Sequence, residues 1–290
     1  MFDGFTNLCI KANGININVM KGGRGPAILM LHGYPQTHFM WHKVAPILAQ
    51  HFTVILTDLR GYGDSDKPIS DPNHQTYSKR TSGKDQFEVM QELGYESFAI
   101  VGHDRGGRVG HRMAIDYSKY ITRLAVLDIV PTLFAFEQTD MEKAMGYFHW
   151  FFLAQKSDMP EHLIGFDPKY FLQWCLKSWG GSLNYFSSEA LAEYERCFSN
   201  PDMIKASCED YRAASSIDLE DDKLDSHNKI NCPVLALWGR NSAINKWYDV
   251  LEVWRDRAID VTGGSIDSRH FLAEEKPEEV ARALFFFLRV

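Results

Sequence analysis

The feature that most limits the possible folds is a series of short apolar runs, each stopping at a turn residue. The runs occupy residues 27–31, 52–57, 98–101, 124–127 and 234–238. Helical patterns lie between them, at 41–50, 78–93 and 107–117. Strands that are apolar throughout are typical of a parallel sheet covered on both faces. The alternation of strands and helices therefore predicts a doubly wound α/β sheet.

Two interruptions of this pattern predict further elements. Gly14 separates two short alternating runs, which indicates an antiparallel hairpin at the N-terminus. In the second half of the chain, a mostly helical segment rich in aromatic residues separates the run at 124–127 from the run at 234–238. We predict an α/β core formed by residues 1–132 and 226–290, with a helical cap at 133–225 inserted after the sixth strand.

Composition and charge exclude several classes of function. The 290 residues carry 31 basic and 38 acidic side chains, a net charge of −7, which disfavours nucleic acid or an anionic membrane as a partner. No apolar run approaches the roughly 18 residues of a membrane span. The N-terminus lacks the pattern of a secretory signal, and the five cysteines form no CxxC pair, so we expect reduced thiols in a cytoplasmic protein. An anionic substrate would need positive charge supplied locally.

The segment Val101-Gly102-His103-Asp104-Arg105-Gly106-Gly107 follows one predicted strand and begins a helix. Its small residues on either side of Asp104 resemble the strand–turn–helix elbow of α/β hydrolases, where a sharp turn exposes the nucleophile. A carboxylate at that position attacks carbon and forms an ester, unlike the serine of an esterase. The competing interpretation is a glycine-rich loop with an ordinary Asp.

Other features of the same fold occur in the expected order. Leu31-His32-Gly33-Tyr34-Pro35 follows the third strand, where this fold supplies an oxyanion-hole amide. The run from Asp58 to Asp66 resembles the DxRGxGxS loop of the epoxide hydrolase and dehalogenase branch, to which we assign no chemistry. His270 precedes the last predicted helix, 277–288, where the fold places its general base.

The acid that would orient His270 is predicted at Asp128, at the end of the strand before the cap. The loop after Gly239, which carries this acid in most α/β hydrolases, contains no carboxylate, whereas some dehalogenases place the acid before the cap. Asp249, within a predicted helix, is the lesser alternative. Arg269 stands where a Gly commonly precedes the catalytic His, and either lowers the pKa of His270 by repulsion or points to solvent.

Arg105 and Arg108 flank the predicted nucleophile, three residues apart at the start of a helix. They therefore occupy one helix face at an end that already favours anions. Two guanidinium groups there form a clamp for a small carboxylate. The alternative is that one or both pair with Asp or Glu elsewhere.

Taken together, the motifs resemble the fluoroacetate (haloacetate) dehalogenases over nearly the whole chain. The shared segments are 103–108, 128–132, 148–150, 211–213 and 217–219. The resemblance implies an Asp nucleophile, a His base oriented by an acid, two arginines on the substrate carboxylate, three donors to the halide, and two backbone amides in the oxyanion hole. The nucleophile is then Asp104, and the base is His270, oriented by Asp128. The substrate carboxylate is bound by Arg105 and Arg108, and the halide by His149, Trp150 and Tyr211. The oxyanion-hole amides are those of Tyr34 and Arg105.

The expected activity is hydrolysis of a short 2-haloacid, with fluoroacetate, giving glycolate and fluoride, as the best guess. It requires no metal and no organic cofactor, and its partner is the small anionic haloacid. A homodimer is an expectation from relatives. The nearest alternative is an epoxide hydrolase that uses Asp104 and His270, with Tyr147 and Tyr211 activating the epoxide. A second alternative is a non-catalytic ligand binder with the same fold.

Overall fold

The predicted apolar strands form the centre of an eight-stranded sheet. The computed structural model describes residues 2–289. In chain order the strands are β1 Phe5–Ala12, β2 Ile15–Gly23, β3 Ala27–Leu31, β4 Thr53–Thr57, β5 Phe98–His103, β6 Ile121–Leu127, β7 Val234–Gly239 and β8 Val261–Ile266. Their order across the sheet is β1-β2-β4-β3-β5-β6-β7-β8. The strands β3 to β8 pair in parallel, while β1 and β2 form the antiparallel hairpin predicted around Gly14.

Burial explains why the central strands were recognisable. Every residue of β3, β4 and β5 is buried, so no polar alternation is left in their sequences. Parallel pairing brings the carboxyl ends of the strands to one edge of the sheet, where α/β proteins place their ligands. Asp104 follows β5 and Asp128 follows β6 at that edge. The predicted α/β class, with a mostly parallel doubly wound sheet, is confirmed.

Helices of two groups surround the sheet. Those in the core are α1 Ala45–Leu48, α2 Lys79–Glu92, α3 Arg105–Asp116, α12 Ala243–Trp247, α13 Val250–Arg257, α14 Leu272–Glu275 and α15 Pro277–Leu288. Those between β6 and β7 are α4 Thr132–Glu137, α5 Met141–Gly146, α6 Phe148–Leu153, α7 Met159–Phe166, α8 Pro168–Gly180, α9 Ser188–Phe198, α10 Pro201–Ala214 and α11 Ile217–Leu224. We call this second group the cap. Within residues 2–289, no helix is long and apolar enough to cross a bilayer.

Two local predictions were wrong. The segment 41–50 contains only the four-residue helix α1, after a short 3-10 helix at His38–Trp41. Pro46 has no N–H to donate to a preceding turn and lies in the first turn of α1, so the helix begins at Ala45 and does not continue from Trp41. Strand β8 was not predicted, because Gly263 and Gly264 interrupt its apolar character. A side chain at Gly263 would meet the carbonyl oxygen of Ala236 at 1.9 Å, so this strand needs a glycine to pair with β7.

Candidate active site

The elbow between β5 and α3 holds Asp104 in a strained backbone conformation. Its φ is +45° and its ψ is −114°, a region that residues with a side chain rarely adopt. The neighbouring glycines make the turn possible. A Cβ at Gly102 would lie 2.4 Å from the carbonyl oxygen of Gly106, and one at Gly106 would lie 2.5 Å from that of His32. The turn thus raises the carboxylate of Asp104 at the carboxyl edge of the sheet.

The carboxylate of Asp104 is buried but surrounded by positive charge and donors. Burial alone would raise its pKa, yet His270, Arg105, His103 and Arg108 lower the pKa of Asp104 to about 2. The amide of Tyr34 donates a 2.9 Å hydrogen bond to its Oδ1. Asp104 is therefore ionised at neutral pH, with Oδ2 left to act as a nucleophile.

His270 and Asp128 meet beside this carboxylate, although 142 residues separate them in the chain. Nδ1 of His270 lies 2.7 Å from Oδ2 of Asp128. The amide of Gly239 donates to the other oxygen, Oδ1, at 2.9 Å. Because an ionised carboxylate only accepts, this contact places a proton on Nδ1 and leaves Nε2 to act as a base.

The alternative acid, Asp249, has a different role. It lies just before α13 rather than inside a helix, and its carboxylate accepts the amide of Glu252 as an N-terminal cap. The carboxylate of Asp249 therefore stabilises the first turn of α13 through a backbone hydrogen bond. Among the described residues, Asp128 is the carboxylate that contacts the ring of His270.

Opposing effects act on the proton affinity of His270. Burial lowers it, but the hydrogen bond and charge of Asp128, helped by the charge of Asp104, outweigh burial and raise the pKa of His270. Arg269 does not reverse this. It is exposed, and its Nε would lie only 2.7 Å from a side chain built at Gly181, so it packs along the surface. Arg269 is therefore exposed, but it also lines the cavity that contains Asp104 and His270.

His103, for which no sequence motif predicted a role, is a positioning residue for the loop of His270. Its Nε2 lies 2.8 Å from the backbone carbonyl of His270, and the two rings are 4.6 Å apart. Burial lowers the pKa of His103 to about 4, so the ring is neutral and Nε2 donates to that carbonyl. The residue before the nucleophile therefore holds the loop that carries the base.

Arg108 is a buried cation without a carboxylate partner. Its Nη1 donates to the carbonyl of Val130 and to the hydroxyl of Thr132, each at 3.0 Å. Its guanidinium lies 4.5 Å from the centre of the Trp150 ring, and its Nε has no hydrogen-bond partner. Since arginine stays charged in proteins, this group can bind an anion in the cavity beside Asp104.

Arg105 differs from Arg108, and the alternative of pairing elsewhere applies to it. Its Nε donates to Oδ2 of Asp210 at 2.7 Å, and its Nη2 donates to Oδ1 at 2.9 Å. Its guanidinium also lies over the ring of Tyr211, 4.2 Å from the centre. Only Nη1 is left without a partner. The two arginines are therefore not the equivalent clamp that their spacing suggested.

The three predicted halide donors come from the cap and share a cavity with the predicted nucleophile. His149, Trp150 and Tyr211 all line the cavity that contains Asp104. Nδ1 of His149 and Oη of Tyr211 are buried and have no hydrogen-bond partner. Burial lowers the pKa of His149 to about 3, so its ring is neutral. Buried polar atoms without partners are costly, and their convergence on one cavity indicates a site for a polar ligand.

Core and cap residues together enclose this cavity. Its volume is about 970 Å³, more than a small haloacetate needs, and its walls include Asp104, His270 and Arg108 as well as cap aromatics. Residues 2–289 contain no cluster of His, Cys, Asp or Glu that could hold a metal ion. The geometry supports nucleophilic attack by a carboxylate, followed by hydrolysis with a His base.

Known proteins share this architecture along nearly the whole chain. Residues 26–277 match the family model described as alpha/beta hydrolase fold. A fluoroacetate dehalogenase from Burkholderia sp is 43% identical, over 99% of this chain and 95% of its own. A soluble epoxide hydrolase from Corynebacterium sp. (strain C12) is 35% identical, over 95% of this chain and 94% of its own.

A solved structure extends the comparison to three dimensions. It is a candidate alpha/beta hydrolase from Nostoc sp PCC 7120, which is 55% identical and superposes with a TM-score of 0.98 over 99% of each chain. The likeness to fluoroacetate dehalogenases noted in the sequence is thus confirmed across its length. This protein belongs to the alpha/beta hydrolase family.

Proposed function

We propose that this enzyme cleaves the carbon–halogen bond of a short 2-haloacid, fluoroacetate being the substrate that the features favour most. The observation that carries the proposal is one cavity with three properties. It contains the ionised carboxylate of Asp104, the cation Arg108 without a carboxylate partner, and buried polar atoms of His149 and Tyr211 without hydrogen-bond partners. The similarity to a fluoroacetate dehalogenase supports the same conclusion.

In the first step, Oδ2 of Asp104 attacks the halogen-bearing carbon of the substrate. A carbon–oxygen bond forms as the carbon–halogen bond breaks, and the halide leaves with the bonding electron pair. Arg108 holds the substrate carboxylate, and His149, Trp150 and Tyr211 surround the departing halide. Fluoride concentrates its charge on one small atom, so donors arranged in advance reduce the barrier most for this leaving group.

In the second step, water attacks the carbonyl carbon of the Asp104 ester, and Nε2 of His270 accepts the proton. Negative charge develops on Oδ1, to which the amide of Tyr34 already donates. The Arg105 amide, at the start of α3, is proposed as the second donor. The hydroxyacid then leaves with this proton from His270. The second proton of the water passes from the Asp104 carboxyl group through His270 to solvent, which restores the carboxylate of Asp104. Esterification removes the Asp104 charge that raised the pKa of His270, so the base becomes more available in the intermediate.

A single turnover in heavy-oxygen water tests the covalent step. With enzyme in excess over chloroacetate or fluoroacetate, we expect the label in the peptide that contains Asp104 and little in the hydroxyacid. Label found only in the hydroxyacid would exclude the ester. His270→Ala should accumulate the ester as a mass gain on the same peptide, whereas Asp104→Asn should release no halide.

An epoxide hydrolase is the second candidate, because Tyr147 and Tyr211 both line the cavity and an epoxide hydrolase is among the similar proteins. Arg108 favours the dehalogenase, since an epoxide offers no carboxylate to a buried cation. A panel of fluoro-, chloro- and bromoacetate with 2-substituted analogues, compared with diol formation from styrene oxide, separates the two. Halide release without diol formation supports the dehalogenase.

A further inference from the structure

Asp210 is the centre of a buried polar cluster that joins the cap to the elbow. This residue lies on α10 and is 4% exposed. Besides the two side-chain bonds from Arg105, its Oδ2 accepts the hydroxyl of Tyr62 at 2.9 Å, and its Oδ1 accepts Nζ of Lys79. The backbone carbonyl of Asp210 accepts a further bond from Nη2 of Arg105 at 2.9 Å. Asp210 therefore holds the guanidinium of Arg105 through three contacts.

The charges of this cluster cancel, whereas that of Arg108 does not. Arg105 and Lys79 are balanced by Asp210 and by Asp218, whose Oδ2 lies 3.3 Å from Nζ of Lys79. Arg108 contacts only neutral oxygens among its hydrogen-bond partners. Arg108 is thus the source of net attraction for an anion, while Arg105 presents one buried donor, Nη1, from a fixed guanidinium plane.

Asp210 is adjacent in α10 to Tyr211, which lines the cavity. Tyr211, directly after Asp210, has its ring against the guanidinium of Arg105 and its hydroxyl buried without a partner. A shift of Asp210 would therefore move Arg105 and Tyr211 together. Misplacement of about 1 Å at a reacting centre costs on the order of 100-fold in rate.

We propose that Asp210 is a positioning residue: it fixes Arg105 and Tyr211 so that the bound haloacid lies in line with Asp104, while Arg108 supplies the charge that attracts it. This proposal rests on the proposed function. It separates orientation, which depends on Asp210, from affinity, which depends on Arg108. The two should therefore appear in different kinetic constants.

The test compares Asp210→Asn with the matched control Asp218→Asn. Both substitutions remove a buried carboxylate beside Lys79, but only Asp210 contacts Arg105. With each variant normalised to its folded fraction, we expect Asp210→Asn to lower kcat for chloroacetate on the order of 100-fold, with KM within about threefold of wild type. Asp218→Asn should keep kcat within about threefold. Arg108→Gln should instead raise KM.

Equal losses in both Asp variants, or a change of KM alone in Asp210→Asn, would overturn the proposal. If Asp210→Asn does not fold, Arg105→Lys serves in its place, since it keeps the charge but loses the two-pronged contact to Asp210. It should show the same fall in kcat with little change of KM. Wild-type enzyme that releases no halide from any haloacetate would refute the proposed function. In that case the affinities of Asp210→Asn and Arg108→Gln for glycolate decide the present proposal: only Arg108→Gln should weaken binding.

Discussion

At the scale of single residues, the proton affinity of His270 is set mainly by burial and by Asp128, which act in opposite directions. The base must be neutral to accept a proton, so ester hydrolysis should increase as pH rises through the raised pKa of His270. Asp128→Asn removes both the charge and the hydrogen bond that raise this pKa. We expect the acidic limb of the kcat profile to move to lower pH, and kcat to fall about 10²–10⁴-fold.

The control for this prediction is Asp249→Asn, which removes the other acid considered for this position. It affects only the hydrogen bond at the N-terminus of α13, so the pH profile should coincide with that of the wild type. Stopped assays of halide release between pH 5 and 9 provide the measurement. A shifted profile in Asp249→Asn, with none in Asp128→Asn, would contradict the assignment.

The hydroxyl of Tyr211 offers a second prediction at this scale. Tyr211→Phe removes one unpartnered donor and little else. Fluoride needs this donor most, because its charge is the most concentrated. We expect kcat to fall about 100-fold with fluoroacetate but only about fivefold with bromoacetate.

Tyr77→Phe is the matched control, because it removes a buried hydroxyl that donates to the carbonyl of Pro68, away from the cavity. It should leave the ratio of the two kcat values unchanged. Equal losses for fluoroacetate and bromoacetate in Tyr211→Phe would show that the hydroxyl does not serve the leaving group.

At the scale of elements, the elbow depends on close approach between β3 and the start of α3. Gly106→Ala would place a methyl group 2.5 Å from the backbone of Leu31 and His32, neither of which can rotate away. We expect a loss of about 1–3 kcal/mol in the free energy of unfolding, together with lost activity. Gly165→Ala on α7 has open space around its Cβ and should be neutral or stabilising. Urea denaturation of both variants measures the difference.

The contact between α14 and the cap predicts a pH-dependent stability. Glu274 is buried, and Tyr194 of α9 donates to its Oε1 at 2.6 Å. Burial raises the pKa of Glu274 to about 7, although Tyr194 and Lys43 partly oppose this. The folded state therefore holds this proton more tightly than the unfolded chain. The resulting stability is complete below the unfolded pKa of 4.5 and is lost as pH rises through about 7.

Glu274→Gln removes this titration while keeping an acceptor for Tyr194. Between pH 5 and 8, the wild type should lose up to about 3 kcal/mol of unfolding free energy relative to Glu274→Gln. Glu278→Gln, in the exposed first turn of α15, should follow the wild type at every pH. Parallel curves for wild type and Glu274→Gln would contradict the prediction.

At the scale of the whole molecule, we propose a homodimer that uses the outer face of the cap. Met159, Leu163 and Phe166 share one face of α7 and are 41%, 53% and 75% exposed. Large contiguous apolar patches on a protein surface often mark interaction sites. Light scattering should give a mass near twice the 33.2 kDa of the chain, and Leu163→Glu should give a monomer. Ile259→Glu changes an exposed residue of the α/β core, away from the cap, and should leave the mass unchanged. A wild-type monomer would refute the dimer.

Features that depend on neighbours in the chain could be predicted from the order of residues. Apolar runs identified the buried strands, because a parallel strand covered on both faces has no polar alternation. The small residues around Asp104 identified the elbow, because a sharp turn needs them whatever surrounds it. The edge strand β8 and the short helix α1 were missed or misplaced because glycine and proline interrupt their patterns.

The pairing of the predicted residues depends on the packing of distant segments and became evident in the fold. Spacing made Arg105 and Arg108 look equivalent, but Asp210, 105 residues further along, compensates one and not the other. Likewise, the structure shows that Asp128, and not Asp249, contacts the ring of His270. The cap residues His149, Trp150 and Tyr211 line one cavity with Asp104 because the cap packs on the core. Ion pairs and hydrogen bonds depend on distances of a few ångströms between distant segments, which the order of residues does not specify.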